Sequence, residues 1–113
     1  MQKVEFVSEN KAGACPGFVG GNGSKAAVIV LQEWWGVNEQ IKKQADEWFG
    51  KDFTVMCPDL YQGKVAIDHE EAGYLMNGLD WIGAVQDIAG CVKFLKEKKG
   101  CAKVGVVGFC MSR

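Results

Sequence analysis

Apolar and polar residues occur in blocks along the chain, and these blocks predict alternating strands and helices. Uncharged apolar runs predict buried strands at Val28–Gln32, Phe53–Pro58 and Val104–Val107. Apolar residues at helical spacing predict helices over about Asn38–Phe49 and Trp81–Lys99. Strands and helices in this order are typical of parallel βαβ units, whose crossover helices cover both faces of one sheet.

The spacing also predicts which side of each long helix is buried. The expected inner stripes are Ile41, Ala45, Trp48 and Phe49 in the first helix, and Ile82, Val85, Ile88, Ala89, Val92 and Leu95 in the second. Asp80 is placed to cap the second helix, and Gly50 and Gly100 are placed to end the two helices.

Weaker patterns complete the expected fold. Lys3–Val7 and Ala14–Val19 predict two short strands joined by a polar turn, and His69–Met76 predicts a short helix. Gly20–Lys25 superficially resembles a phosphate-binding loop, but it leads into a strand rather than a helix, so we interpret it as a connecting turn. The sequence therefore predicts an α/β fold with a mostly parallel sheet and a short N-terminal antiparallel hairpin.

Composition narrows the class of protein. The chain of 113 residues fits one domain, and its net charge of −1 gives no electrostatic attraction to nucleic acid or to an anionic membrane. No apolar stretch reaches membrane-spanning length, and the N-terminus lacks the apolar region of a signal peptide. Five cysteines without C-x-x-C spacing favour free thiols in the cytoplasm over disulfides or zinc. We expect no metal and no cofactor.

The strongest candidate for chemistry follows the last predicted strand. Gly108–Ser112 reads Gly-Phe-Cys-Met-Ser, which is the pattern of a nucleophile elbow, a sharp turn that lifts its central side chain clear of the sheet. Cys110 is therefore the candidate nucleophile. The alternative is a buried structural cysteine at a strand end.

Glu33 is the second candidate, because it directly follows a buried strand. It is flanked by Trp34 and Trp35, and apolar surroundings would make its carboxylate a better proton acceptor. The alternative is an exposed loop glutamate. His69, the only histidine, could serve as a base for Cys110, although its polar segment is more typical of a solvated helix start.

Two further cysteines and one aspartate could in principle take part in chemistry, but we interpret them as structural residues. Cys57 follows a strand and Cys91 lies inside a helix, and we interpret both as small apolar packing residues. Asp59 lies at the carboxyl edge of the predicted sheet, and we interpret it as a turn or cap residue.

Val28–Asn38, Cys57–Lys64 and Val104–Met111 together resemble the dienelactone hydrolase (carboxymethylenebutenolidase) family, a cysteine-nucleophile branch of the α/β-hydrolases. The three motifs occur in family order and spacing, and they correspond to the N-terminal half of a family domain. The resemblance implies a three-layer α/β-hydrolase fold, with residues 1–113 as one partial domain truncated after the nucleophile elbow.

The resemblance also implies a role for each matching residue. Cys110 matches the nucleophile that cleaves a small-molecule ester or lactone, and Glu33 matches the glutamate that contacts the resting thiol and helps to form the thiolate. The backbone N–H groups of Trp34 and Met111 match the oxyanion-hole donors.

The sequence departs from the family pattern in three respects. The aspartate and the histidine of the family triad lie beyond the elbow and have no counterpart, and the substrate-binding arginine expected within His69–Met76 is missing. Ser112 stands where the family has glycine. We therefore expect this chain alone to be an inactive hydrolase. A non-catalytic fragment or pseudoenzyme that binds a ligand or partner is the alternative, and a thiol redox protein is a third hypothesis.

The last strand raises a question of stability. It is apolar on both faces, and the chain supplies no further element to cover it. Exposed hydrophobic edge strands pair readily with other chains. We therefore expect marginal stability or self-association through this strand.

Overall fold

The computed structural model describes residues 1–108, which form five strands and three helices. In chain order these are β1 (Gln2–Phe6), β2 (Cys15–Gly21), β3 (Ala26–Leu31), α1 (Glu39–Phe49), β4 (Thr54–Pro58), α2 (His69–Asn77), α3 (Trp81–Lys98) and β5 (Lys103–Gly108). The segment Gly20–Lys25 ends β2 and turns into β3, as predicted for a connecting turn. None of the helices described is both long and apolar enough to cross a membrane.

The strands form one mixed sheet in the order β1-β2-β4-β3-β5. β2 is antiparallel to both β1 and β4, whereas β3 is parallel to both β4 and β5. The predicted N-terminal hairpin is present. The expectation of a mostly parallel sheet is not confirmed, because the hairpin joins the parallel strands through an antiparallel pairing and half of the pairings are therefore antiparallel.

Helices cover both faces of the sheet. On one face α1 contributes Ile41 and Ala45 to a buried cluster that also contains Cys57. On the other face α3 contributes Cys91 and Leu95 to a second cluster. Both cysteines are fully buried, which confirms the predicted packing role of Cys57 and Cys91.

The buried stripe of α1 differs from the predicted one at its end. The side chain of Asn38 caps the helix by accepting a hydrogen bond from the N–H of Ile41 at 3.0 Å. Ile41, Ala45 and Phe49 lie on one i, i+4 row that contacts the core. Trp48 lies off this row and is 56% exposed, so its predicted burial is wrong.

The buried face of α3 agrees with the predicted stripe only near its C-terminal end, where Leu95 is buried and Val92 packs against the core. Ile82 and Val85 are 76% and 65% exposed, and Ala89 is exposed as well. The buried residues are Gly83, Ala84, Asp87, Cys91 and Leu95. The physical reason is close approach, since a Cβ added to Gly90 would lie 2.4 Å from the carbonyl oxygen of Val7. Small residues on this side therefore let α3 lie against the N-terminal segment.

Asp87 is a fully buried carboxylate on the inner face of α3. It accepts hydrogen bonds from Ser8 Oγ at 2.6 Å, Asn10 Nδ2 at 3.2 Å and Gln62 Nε2 at 3.3 Å. These donors come from the segment after β1 and from the loop after β4. Asp87 therefore joins three separate parts of the chain, and an apolar periodicity could not reveal it.

β5 lies at the edge of the sheet and runs parallel to β3, with pairs from Ala26↔Lys103 to Leu31↔Gly108. Val104 and Val107 are partly buried against the two core clusters, but Val106 is 50% exposed. The expectation of a strand buried on both faces is therefore wrong, because β5 lies at the edge of the sheet, where the core clusters reach only Val104 and Val107.

Candidate functional site

The candidate site lies at the carboxyl edge of the two parallel strands β3 and β5. Their last paired residues are Leu31 and Gly108, and Glu33 follows β3 in a half-buried loop. In open α/β sheets ligands gather at this edge. The predicted nucleophile Cys110 and the predicted oxyanion donor Met111 lie outside the described residues and stay predictions.

A tight turn after β3 carries Glu33. The N–H of Gly36 donates to the carbonyl oxygen of Glu33 at 3.1 Å, and the two residues form an isolated β-bridge. Gly36 has a φ of 99°, and a Cβ there would lie 2.6 Å from the carbonyl oxygen of Lys64. Glycine is therefore required both by the backbone angle and by the approach of the neighbouring loop.

Two hydrogen bonds from the loop after β4 hold the main chain of this turn. The hydroxyl of Tyr61 donates to the carbonyl oxygen of Trp34 at 2.9 Å. The N–H of Ala66 donates to the carbonyl oxygen of Trp35 at 2.9 Å. Both carbonyl groups of the Trp-Trp pair are thereby fixed. The peptide group that carries the predicted donor N–H of Trp34 contains the carbonyl of Glu33, which is held by the N–H of Gly36.

Asp59 organises the loop that makes these contacts. Its carboxylate accepts hydrogen bonds from the N–H of Tyr61 at 3.1 Å and of Gly63 at 2.9 Å. Burial raises the pKa of the Asp59 carboxyl, while hydrogen bonds from the N–H groups of Gly63, Tyr61 and Gln62 lower it. This geometry confirms the interpretation of Asp59 as a turn residue.

His69 is brought to the same edge by α2, of which it is the first residue. Its ring lies edge-on to Trp35, with centroids 5.0 Å apart, and to Trp34, with centroids 5.7 Å apart. The two indoles are themselves 5.5 Å apart. His69 is exposed, as predicted for a helix start, but the sequence did not reveal its contact with the tryptophans beside Glu33.

Gln32 is a residue of this edge that the sequence analysis missed. Gln32 directly follows β3 and precedes Glu33, and its side chain is fully buried. Its Oε1 accepts a hydrogen bond from the N–H of Leu60 at 2.7 Å. Its Nε2 has no hydrogen-bond partner among residues 1–108. The only signal in the sequence was a glutamine that directly continues the buried run of β3.

Three of the four thiols of the described residues are protected from reaction. Burial raises the pKa of Cys57 to about 12, and it also raises the pKa of Cys15 and of Cys91 well above the usual range. A thiol reacts as its thiolate, so these three side chains are unreactive near neutral pH. Among residues 1–108 there is no group of three or more His, Cys, Asp or Glu side chains arranged to hold a metal ion.

The chain matches the model of the dienelactone hydrolase family over residues 16–112. It belongs to the dienelactone hydrolase family. It is similar to "Protein usf" of Aquifex pyrophilus, with 39% identity over 93 residues, and to carboxymethylenebutenolidase of Pseudomonas putida, with 26% identity over 94 residues. These matches cover 74% of this chain in both cases, but only 39% and 40% of the two relatives.

A solved structure shows the same architecture. The protein titled "m3DLH" superposes with a TM-score of 0.73 at 19% sequence identity, over 96% of this chain and 49% of the other. At this identity the likeness concerns the fold alone, and it establishes a dienelactone-hydrolase-like α/β fold for the chain. The chain spans about two fifths of the length of the curated relatives that it matches.

Proposed function

We propose that the chain carries the nucleophile and oxyanion half of an ester or lactone hydrolase, with Cys110 as the nucleophile. The observation that supports this most strongly is the fixed turn of Glu33 and Trp34 beside the end of β5. β3 and β5 are parallel neighbours whose last paired residues are Leu31 and Gly108, and in the sequence Glu33 and Cys110 each come two residues after one of them. A carboxylate that lies beside a thiol can act as the base for that nucleophile.

The proposed reaction begins with proton transfer from the thiol of Cys110 to the carboxylate of Glu33. The thiolate sulfur attacks the carbonyl carbon, a C–S bond forms, and the carbonyl electron pair moves onto oxygen. The N–H groups of Trp34 and Met111 stabilise this oxyanion. When the oxyanion collapses, the C–O bond breaks and the alkoxide takes the proton from Glu33, which leaves a thioester on Cys110.

Release of the thioester needs a base that activates water. The one histidine of the sequence, His69, lies against Trp34 and Trp35 and is an exposed part of α2. We therefore propose that the chain of 113 residues completes acylation and stops at the thioester. We propose a small-molecule ester or lactone as substrate. The segment His69–Met76 contains no arginine, which counts against a dienelactone as that substrate.

The free thiols indicate the cellular compartment in which the proposed hydrolase would act. All four cysteines of the described residues are unpaired. Free thiols persist in reducing compartments, and we place the activity in the cytoplasm.

The test is acylation by p-nitrophenyl acetate. We expect a burst of one nitrophenolate per chain and an acetyl group on the peptide that contains Cys110. Cys110→Ala should abolish both signals, whereas Cys101→Ala should keep them, because Cys101 is buried and contacts Ser24 at the amino end of β3. A wild-type chain without an adduct on Cys110, or a burst that survives Cys110→Ala, would show the proposal to be wrong.

A further inference from the structure

A cleft of about 280 Å³ opens where the turn after β1, the loop after β4 and the corner between α2 and α3 meet. Glu33, Trp34 and Trp35 do not line it, so the cleft is separate from the candidate site described above. Its volume is close to the lower limit of about 300 Å³ that is usual for small-molecule sites. The cleft can therefore hold a small organic molecule, and the chemistry of its lining indicates which class.

The buried carboxylate of Asp87 holds two of the lining residues in place. Asn10 Nδ2 and Gln62 Nε2 both donate to its Oδ2, at 3.2 and 3.3 Å. Gln62 has a φ of 58°, the only left-handed value of a residue other than glycine among residues 1–108. A backbone angle of this kind persists only where surrounding contacts hold it. The protein's own hydrogen bonds therefore form the cleft, and a ligand does not have to order these two side chains.

Four apolar side chains contribute to the lining, namely those of Leu60, Leu75, Leu79 and Ala84. Leu60 and Ala84 are buried, whereas Leu75 and Leu79 are only half-buried. The two half-buried leucines leave apolar surface in contact with water. A ligand with an apolar body would remove that surface from water, which stabilises the complex by about 25 cal/mol per Å².

The positive charge of the lining comes from Lys11 and Lys64. Both side chains are exposed, and neither forms an ion pair with a carboxylate of residues 1–108. Asp80 is the one carboxylate of the lining, and it caps α3 by accepting a hydrogen bond from the N–H of Gly83 at 3.1 Å. Two lysines against one aspartate leave a single positive charge, which favours an anion with one negative charge.

We propose that this cleft binds a small monocarboxylic acid with an apolar body. The carboxylate accepts hydrogen bonds from the ammonium groups of Lys11 and Lys64, and the hydrocarbon part packs against Leu75 and Leu79. Hydrogen bonds between charged partners are stronger than neutral ones, so an alcohol of the same length binds less tightly. The site makes no use of Cys110, so it is independent of the proposed hydrolase activity.

The test is a titration of the full chain with hexanoate, followed by the shifts of backbone amide signals in NMR spectra. We expect the amides of Gln62, Lys64 and Leu79 to respond. Hexanol lacks the charge and acetate lacks the apolar body, so both should bind more weakly than hexanoate. Hexanoate that leaves these amides unchanged, or that binds no more tightly than hexanol or acetate, would overturn the inference.

A double variant tests the role of the lysines. Lys11→Met with Lys64→Met keeps the length of both side chains and removes both charges, and it should weaken hexanoate binding about tenfold. The matched control is Lys43→Met with Lys51→Met, which makes the same change of charge at exposed lysines outside the cleft and should bind as the wild type does. Equal affinities in the two double variants would contradict the proposal.

Two further variants separate this cleft from the proposed active site. Leu79→Asn should weaken hexanoate binding, because the half-buried leucine is part of the apolar lining. Cys110→Ala should bind hexanoate as the wild type does, whatever the outcome of the acylation experiment. Loss of binding in Cys110→Ala, with wild-type affinity in the Lys11 and Lys64 double variant, would assign the acid to the active site and overturn the inference.

Discussion

The hydroxyl of Tyr61 donates a 2.9 Å hydrogen bond to the carbonyl oxygen of Trp34, the residue whose own N–H is the proposed oxyanion donor. Tyr61 belongs to the loop after β4 and Trp34 to the loop after β3, so the bond joins two neighbouring strand ends. Burial raises the pKa of the Tyr61 phenol, and the hydroxyl therefore stays a donor at neutral and mildly alkaline pH. The residue that carries the proposed donor is therefore held on its carbonyl side by a side chain that takes no part in the reaction.

Replacement of Tyr61 by phenylalanine should loosen the turn of Trp34. The lost hydrogen bond should lower the free energy of unfolding by about 1 kcal/mol. Acylation of Cys110 should slow, because Trp34, which carries the proposed oxyanion donor, is held less firmly on its carbonyl side. Urea unfolding and the nitrophenolate burst measure the two effects. Tyr74→Phe is the control, since Tyr74 is 76% exposed. Equal burst rates in the two variants would contradict the prediction.

Gly36→Ala should destabilise the protein more than Gly63→Ala. Both glycines have left-handed φ values, 99° and 98°, so both substitutions carry a backbone cost of about 1–2 kcal/mol. Only at Gly36 would the new Cβ also lie 2.6 Å from a carbonyl oxygen, whereas the space around Gly63 is open. Urea unfolding of the two variants separates the steric cost from the backbone cost. Equal losses would show that the loop of Lys64 moves aside freely.

Cys57 should make the fold sensitive to alkali. Burial raises its pKa from 9.0 to about 12, so the unfolded chain releases the thiol proton at a lower pH than the folded chain. The stabilisation is complete below pH 9 and is lost as the pH rises towards 12, by up to about 1.4 kcal/mol per pH unit.

A substitution isolates this effect. Cys57→Ala removes the titrating group and should cost stability at pH 7 through the small cavity that it leaves. Its disadvantage relative to the wild type should shrink above pH 9 in urea unfolding. Val55→Ala, in the same buried cluster, is the control, and its disadvantage should stay constant. A Cys57→Ala difference that does not change with pH would refute the prediction.

We propose that the exposed edge of β5 makes the chain self-associate. Val106 is 50% exposed, and the second edge of β5 has no partner among the described strands. Val106→Lys should lower the apparent mass at high protein concentration in sedimentation experiments, because charged side chains on an edge strand oppose pairing. Val85→Lys, on the exposed side of α3, should leave the association unchanged. A concentration-independent monomer in the wild type would rule this out.

The sequence predicted the element order and the position of Glu33, because these follow from uninterrupted apolar runs and from what comes directly after them. It also predicted the capping residue Asp80, which caps α3 by accepting a hydrogen bond from the N–H of Gly83 at 3.1 Å. Features of this kind are local, so they need no knowledge of the neighbours in space.

The sequence failed where tertiary contacts override local pattern. The face of α3 is set by the close approach of Gly90 to Val7 and by the buried Asp87, and neither follows from apolar spacing. The contact of His69 with the tryptophans depends on which loops meet at one edge. So does the contact of the Gln32 side chain with the N–H of Leu60. These contacts arise from the sheet order, which a single sequence specifies only weakly.

The hydrogen bonds of Asp87 have a consequence for the order of folding. Ser8 and Asn10 reach Asp87 across 79 and 77 positions of sequence, and ordering such long loops is slow. We therefore expect the N-terminal segment to dock after α3 has packed on the sheet, with its amides the last of this network to gain protection during refolding. Until the N-terminal segment docks, the carboxylate of Asp87 stays exposed to water. Its burial is then the last step in the folding of this part of the protein.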